Sequence, residues 1–579
     1  MNELNKNFLE QKFFDEDDIM SLPPLVEIYF EEEKFPLTCY LSDLHQKEFL
    51  SLGVYKMLSL VELDKISAAK KVYDERGDDW LNICKQYKIY WKHAILFALY
   101  FRQKNYPGWF QDLLNRHYES ELVQLFEMSQ ELSAENFIAT PLFKKICERH
   151  PALEKIYTRR EVANDLITFE KVQWKIWEKY NRNLRDSPLD ENKIQCVCDN
   201  GITIYSYKPH VVAASMHILT DGEVTIIFDC GAELIEEGVR NIPVKKILSH
   251  LEIENVDAVF ISHGHFDHYG SFNELPQVPC YMTIDTANII QMSSPNIFLR
   301  GVKLKNFYEE VDINGVKVRL IPNGHIRGSV LFNVNWRGGK RIIYTGDYCL
   351  EDQRTCAGLD LQSVLTIPKR TDILLTESTY GQKNLMLTLP EYETVFKNIC
   401  ERIISFGKKI IIPSFAVGRA AEIAMLLKES ARKNGFTILI DGLAAQMTEY
   451  YQNSMEQTII GSNISVCTSN LELRERIYNY DVIIASSGML QEGSTSFAYM
   501  QEMLELKKVC VMKVGFIHEY ESMLMSVFNR RHQNVTFFDI PLSAHADYKS
   551  LVEVTEKISP ETAIYIHGHS IAPPNNFLG

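Results

Sequence analysis

Six residues, His263-Gly264-His265-Phe266-Asp267-His268, put three imidazoles and one carboxylate into a single short stretch of chain. The run before them, VDAVFI at 256–261, is apolar, partly β-branched and of buried-strand length, so the six fall where a strand should end. Alternate residues leaving a strand point to different sides. His263 and His265 can therefore grip one ion while Asp267 and His268 reach a second, and neutral imidazole with carboxylate suits zinc. A lone His-x-His in a polar loop is most simply a chance cluster; the whole H-x-H-x-D-H after an apolar strand is not. Two later strand ends supply what this turn lacks. VKVRLIPNGHIRGS (316–329) delivers His325, and RIIYTGDY (341–348) delivers Asp347. A tetrahedral ion needs more than two imidazoles, so His325 becomes the third, and Asp347, with two oxygens, can bridge both ions.

The elements that must position these residues are short. GITIYSY (201–207), VVAASMHIL (211–219) and EVTIIFDCG (223–231) read as successive strands, and the last ends in Asp229. An aspartate there is expected to organise neighbouring loops by accepting N–H bonds rather than to touch a metal. VRNIPVKKILSHL (239–251) is expected to be a helix leading into the histidine turn. Upstream, WLNICKQYKIYWKHAILFALYFRQ (80–103) and FEKVQWKIWEKYNRNL (169–184) carry apolar residues at helical spacing with almost no Gly or Pro. Residues 1–190 therefore read as a mainly helical N-terminal domain that offers a surface for a protein partner, with 185–188 as a linker. Its aromatic residues Tyr87, Tyr90, Trp91, Tyr100 and Trp109 could stack on bases but are better read as core.

Length and composition set the frame. A chain of 579 residues needs more than one core, and at 46% hydrophobic and 24% charged it reads as globular. A net charge of -15 argues against a generally basic protein that coats nucleic acid, while leaving room for a basic cleft. Twelve scattered cysteines without a C-x-x-C pair suit reduced thiols in the cytoplasm better than a disulfide framework. No basic-then-apolar leader and no 18-residue apolar run is present, so secretion and membrane spanning are not expected.

Taken together, the histidine turn, His325 and Asp347 resemble the metallo-β-lactamase fold. LLTESTYG (374–381), KKIIIPSFAVGRAAEIAMLL (408–427), IASSGMLQEGS (484–494), PLSAHADY (541–548) and AIYIHGH (563–569) narrow the resemblance to the β-CASP branch. Its members are nucleases related to ribonuclease J and to the endonuclease subunit of the pre-mRNA cleavage and polyadenylation complex. The resemblance covers about residues 194–569 and leaves the first 190 unexplained. It implies an α/β fold: an αββα sandwich formed by 191–381 and a return segment 537–579, with a β-CASP domain inserted at 382–536.

Carried over motif by motif, the resemblance implies two zinc ions, one held by His263, His265 and His325 and the other by Asp267, His268 and His567, with Asp347 between them. Glu377 would orient the catalytic machinery and His545 would be its paired general acid, so Asp267, Glu377 and His545 are the expected catalytic residues. A histidine at position 567 accompanies RNA-cleaving members of the family, which favours an RNA substrate over DNA. Arg419, at the expected start of a helix, and Ser487 and Gly488, on the SSGM turn, are candidate phosphate contacts. MKVGFIHEYESM (512–523) departs from the family's Gly-Tyr-x-x-x-Gly-Thr pattern, and His569 stands where relatives often have Glu. No further RNA-binding or dimerisation module is recognised, so substrate selection is expected from the helical region or a partner. A homo-oligomer is compatible with the sequence. Competing readings are a hydrolase of DNA or a small ester, and a partner-binding scaffold whose metal site is dispensable.

Overall fold

The computed structural model describes residues 3–158 and 194–568, except 78, 105, 200, 213, 236–237, 300, 382, 384, 456, 468–471, 506–508 and 516–534. The expected helix at 169–184, the linker at 185–188, most of 512–523 and His569 lie outside the described residues. Backbone contacts divide the chain into two units, 1–172 with 386–406, and 173–385 with 407–579. No helix among the described residues is long and apolar enough to cross a membrane.

The first unit is helical, with twelve α-helices among the described residues from Glu3–Glu10 to Pro151–Thr158. Trp80, Tyr29, Tyr55, Phe97, Phe110 and Phe126 are fully buried in it. The single helix expected over 80–103 is two, Asp79–Gln86 and Trp91–Tyr100. Lys88 adopts a left-handed conformation (φ 52°), and the amide of Ile89 donates back to Cys84 O at 2.9 Å. That six-to-one bond with a left-handed residue before it is a Schellman stop. Glycine usually occupies that position, so a lysine there gave no warning. Of the aromatic residues considered for stacking, Tyr100 is buried and Trp91 lies flat on His117, centroids 4.0 Å apart. Helix Leu389–Ser405, expected inside the inserted domain, belongs to this unit instead. Its Arg402 pairs with buried Glu10 at 3.3 Å and its Glu391 with Lys65 at 3.0 Å.

The second unit holds three large sheets. The first is β1 (Ile194–Asp199), β2 (Ile202–Tyr207), β3 (His217–Thr220), β4 (Thr225–Phe228), β7 (Ala258–Phe260), β8 (Cys280–Thr283) and β9 (Val302–Lys305), neighbours in that order. β1 to β4 are antiparallel, and β4, β7, β8 and β9 run parallel. Between β4 and β7 lies a hairpin of β5 (Ala232–Ile235) and β6 (Gly238–Asn241). The helix expected from 239 starts only at Val244, because Pro243 holds the preceding residue extended and lacks the N–H that a longer helix would use.

The second sheet is β10 (Glu310–Ile313), β11 (Val316–Pro322), β12 (Val330–Asn335), β13 (Arg341–Tyr344), β14 (Ile373–Ser378) and finally β21 (Thr562–Gly568). Alternation decides which side chains meet. Ile226, Phe228, Ala258 and Phe260 face the second sheet, while Ile227 and Val259 face helices Val244–His250 and Ile284–Ser293. Phe228 lies against Phe332 at 5.2 Å and Tyr344 at 5.7 Å, closing the core between the sheets. Helix Tyr548–Ile558 covers the outer face of the second sheet, where Thr555 meets Tyr565. The result is the four-layer αββα sandwich.

The third sheet is wholly parallel, in the order β17 (Ile464–Val466), β16 (Ile438–Asp441), β18 (Val482–Ala485), β15 (Lys409–Pro413), β19 (Val509–Val514) and β20 (Val535–Ile540). β20 pairs with β19 throughout, so this sheet continues to Ile540, past the break expected at 536. The chain then re-enters the sandwich as β21, parallel to β14.

Phe332 is buried within the ring cluster between the sheets, and shortening it leaves a cavity. Phe332→Ala should destabilise the second unit by about 3–5 kcal/mol, read as a lowered denaturant midpoint.

Candidate metal centre

His263, His265, His325 and Asp347 follow strand ends, Asp267 and His268 lie in the short helix Phe266–Tyr269 after β7, and His567 lies near the end of β21. Asp229 directly follows β4, held at φ 55°, a conformation aspartate tolerates better than most residues. Its Oδ1 accepts from Ser262 N at 2.7 Å, and its Oδ2 accepts from Ser262 Oγ at 2.7 Å and from the Tyr344 hydroxyl. Oδ2 also lies 2.7 Å from His268 Nδ1. Asp229 therefore organises the loops, the role its position suggested. The main chain of the histidine turn is gripped as well: Ser215 N donates to Asp267 O and Cys230 N to His268 O, both at 2.8 Å. Gly231 passes so close that a Cβ there would fall 1.6 Å from Asp267 O.

Hydrogen bonds to one ring nitrogen settle which nitrogen is left for a metal. His268 gives Nδ1 to Asp229, His263 places Nδ1 3.0 Å from Ser262 Oγ, and His325 gives Nδ1 to Ala544 O at 2.8 Å. Each keeps Nε2. His265 turns the other way. Its Nδ1 lies 3.0 Å from both His263 Nε2 and His325 Nε2, and its Nε2 lies 3.5 Å from Val417 O.

Asp347 follows β13. Its Oδ2 lies 3.2 Å from His268 Nε2, 3.7 Å from His263 Nε2 and 3.8 Å from His325 Nε2. His567 reaches the cluster through a register shift between β14 and β21, where Glu377 pairs with Ile566 but Ser378 with Gly568. The extra residue is His567 itself, at φ 52°, so the bulge re-aims the imidazole. Its Nε2 lies 3.1 Å from Asp267 Oδ2, and its Nδ1 lies 3.1 Å from Thr379 Oγ1.

The seven expected ligands thus gather as two groups, His263, His265, His325 and Asp347 in one and Asp267, His268 and His567 in the other, with the ligand atoms of each within 4.8 Å. A third combination, Asp347, Glu377 and His567, overlaps both. Glu377 accepts from Tyr348 N at 2.6 Å and Thr379 Oγ1 at 2.5 Å, and lies 3.0 Å from His545 Nδ1. The expected Glu377–His545 pairing is therefore present. Thr379 was not singled out from sequence, since one hydroxyl among several in LLTESTYG carries no distinguishing spacing.

Electrostatics follow burial and neighbours. Burial, reinforced by the surrounding imidazoles, drives the pKa values of His263 and His325 well down, and burial brings His265 to about 4. Burial also opposes charge on His268, but Asp347, Asp229 and Asp267 outweigh it and raise the value well above 6.5. For Asp347, burial works against ionisation, yet His567 and His268 prevail and hold it ionised.

These residues fit divalent ions. His268 Nε2 and Asp347 Oδ1 are buried and have no hydrogen-bond partner, which is costly unless something else fills the role. Imidazole nitrogen with carboxylate oxygen is a donor set for zinc and similar transition metals.

The candidate phosphate contacts lie on the third sheet's C-terminal edge. Arg419 begins helix Arg419–Asn434 and donates to Gln353 Oε1 at 3.3 Å. Gly488 packs against Phe415, whose ring lies 6.5 Å from that of His265. Ser487 Oγ accepts from Met489 N at 3.2 Å, a bond within its own turn.

Residues 211–359, which include six of the seven candidate ligands, all but His567, match the Metallo-beta-lactamase superfamily. The chain is 26% identical over 396 residues to "Cleavage and polyadenylation specificity factor 73" of Drosophila melanogaster, covering 59% of this chain and 56% of that protein. It is 24% identical to "Endoribonuclease YSH1" of Eremothecium gossypii, covering 62% and 54%. It is 27% identical to "RNase J-like protein" of Methanocaldococcus jannaschii, covering 59% and 86%. The chain spans about half the length of the first two of these relatives. It carries a metallo-beta-lactamase domain, and the resemblance to the β-CASP branch extends to these named relatives.

Near neutral pH the metal-free His268 holds a proton that an arriving ion must displace, whereas His263, His265 and His325 are already neutral. Titration calorimetry in buffers of different ionisation heat should show proton release for ion binding at the Asp267–His268–His567 group and none at the three-histidine group. On acidification the former should empty first.

Proposed function

We propose that this protein is a zinc-dependent ribonuclease that hydrolyses RNA phosphodiester bonds, internally or from the 5′ end. The observation that carries the reading is the position of Asp347, which groups with His263, His265 and His325 while its oxygens lie 3.2 Å from His268 Nε2 and 3.4 Å from His567 Nδ1, with the His545–Glu377 pair beside it. Two divalent ions held there would supply Lewis acidity, making water nucleophilic near neutral pH and offsetting charge on the attacked phosphate.

The chain's own groups do the rest. Glu377 fixes His545 through Nδ1, which leaves Nε2 to carry a proton. Burial opposes the charged form of His545, but Glu377, Asp347 and Asp267 outweigh it and raise its pKa, which favours the protonated ring. It can then donate to the departing 3′ oxygen, which otherwise leaves as an alkoxide. Thr379 donates to Glu377 and lies within hydrogen-bond distance of His545 and His567, tying the acid to the ligand cluster.

RNA is preferred to DNA because His567, the residue associated with RNA-cleaving relatives, is held by Asp267 and Thr379. The names of the relatives support the same substrate. A cytoplasmic setting is in keeping with the eleven described cysteines, all free thiols. The helical unit is where a protein partner would act, and self-association is compatible with this reading.

Matched single-stranded RNA and DNA oligonucleotides test the assignment. RNA should be cut and DNA largely spared, with cleavage abolished by chelator and by Asp267→Ala combined with His268→Ala; undiminished cutting by that double variant would contradict it. His545→Ala should lower kcat by about 10²–10⁴-fold while metal content stays unchanged.

A further inference from the structure

The loop that follows Asp347 is held from two directions by side chains that metal coordination does not require. Gln353 Nε2 donates to Gly324 O at 2.6 Å and His325 O at 2.7 Å, the turn that carries a metal ligand. Its Oε1 accepts from Arg419 Nη2 at 3.3 Å. One amide thus spans from a ligand turn of the sandwich to the first residue of a helix that follows the third sheet's β15.

Three residues along that helix, Glu422 is buried, and its carboxylate accepts from Arg354 N at 3.0 Å and Thr355 N at 2.5 Å. Arg419 and Glu422 stand at i and i+3, on one helix face. That face grips three consecutive residues, 353 to 355. A buried carboxylate bonded to two backbone N–H groups is a strong anchor, because removing it strands both donors. The turn before the helix closes the same contact: Val417 O lies 3.5 Å from His265 Nε2.

A guanidinium carries five N–H donors in a rigid fork. Gln353 takes one of them and so fixes the plane in which the remaining donors can meet an anion. We propose that Gln353 is a positioning residue that aims Arg419 at an RNA phosphate and, through its other atom, sets the His325 turn, so that phosphate contact and metal ligand share one side chain. This inference rests on the ribonuclease reading. Gln353's two ends separate the roles: glutamate keeps the acceptor for Arg419 but loses the donor to the carbonyls, whereas leucine loses both.

The test is a variant cycle read first without catalysis, by anisotropy of a fluorescent single-stranded RNA added to the full chain in chelator. Arg419→Ala and Gln353→Leu should each weaken binding about tenfold, as loss of a charge-assisted contact does, and the double variant should bind no worse than Arg419→Ala alone. Gln353→Glu should bind as the parent does. With metal restored, Gln353→Glu should lower kcat at unchanged KM, and Gln353→Leu should change both. Additive losses in the cycle, Gln353→Glu binding as weakly as Gln353→Leu, or no RNA binding by the parent would each overturn the proposal. A parent that binds RNA but cuts none would overturn the ribonuclease reading while the binding cycle still decides the role of Gln353.

Discussion

A carboxylate with almost no access to water needs positive charge beside it, and Asp347 is such a group. Five imidazoles, from His263, His268, His325, His545 and His567, approach its two oxygens within 3.8 Å. Two of those rings, His263 and His325, are driven toward the neutral form by burial, so protons alone balance the site poorly. Divalent ions would resolve the conflict, since the neutral nitrogens could hold them and they would supply the charge that the carboxylate needs.

Part of the structure serves to commit one nitrogen of a ligand ring, so that the other faces the cluster. Asp229 engages Ser262, His268 and Tyr344 at once, and Ala544 O engages His325, so the Nδ1 atoms of His268 and His325 are committed and their Nε2 atoms face the cluster. The bulge at His567 uses an uncommon backbone conformation, which packing between β14 and β21 sustains. The same preorganisation extends outward. Glu377, Thr379 and His545 form a chain of hydrogen bonds that reaches the ligands without adding a charge pair open to solvent.

The site was readable in the sequence where short motifs coincide with strand ends. VDAVFI before the histidine turn, and the apolar runs before His325 and Asp347, told both that strands were present and where they stopped. The sandwich itself was expected only through the resemblance to the metallo-β-lactamase fold. What escaped was decided by partners far away in the chain. Helix Leu389–Ser405 is legible as a helix, but nothing in its pattern says that Glu10 and Lys65 are its partners. The break at Lys88 uses a residue that rarely stops helices, and the continuation of the third sheet to Ile540 depends on pairing with β19. Gln353 and Thr379 are ordinary polar residues until the fold surrounds them.

The central claim is that one carboxylate stands between two metal ions. Crystals of the purified chain, measured with anomalous scattering on either side of the zinc edge, test it directly. Two peaks about 3.5–4 Å apart, with Asp347 touching both, are the expected result. A fully active protein showing one peak, or none, at this centre would contradict it.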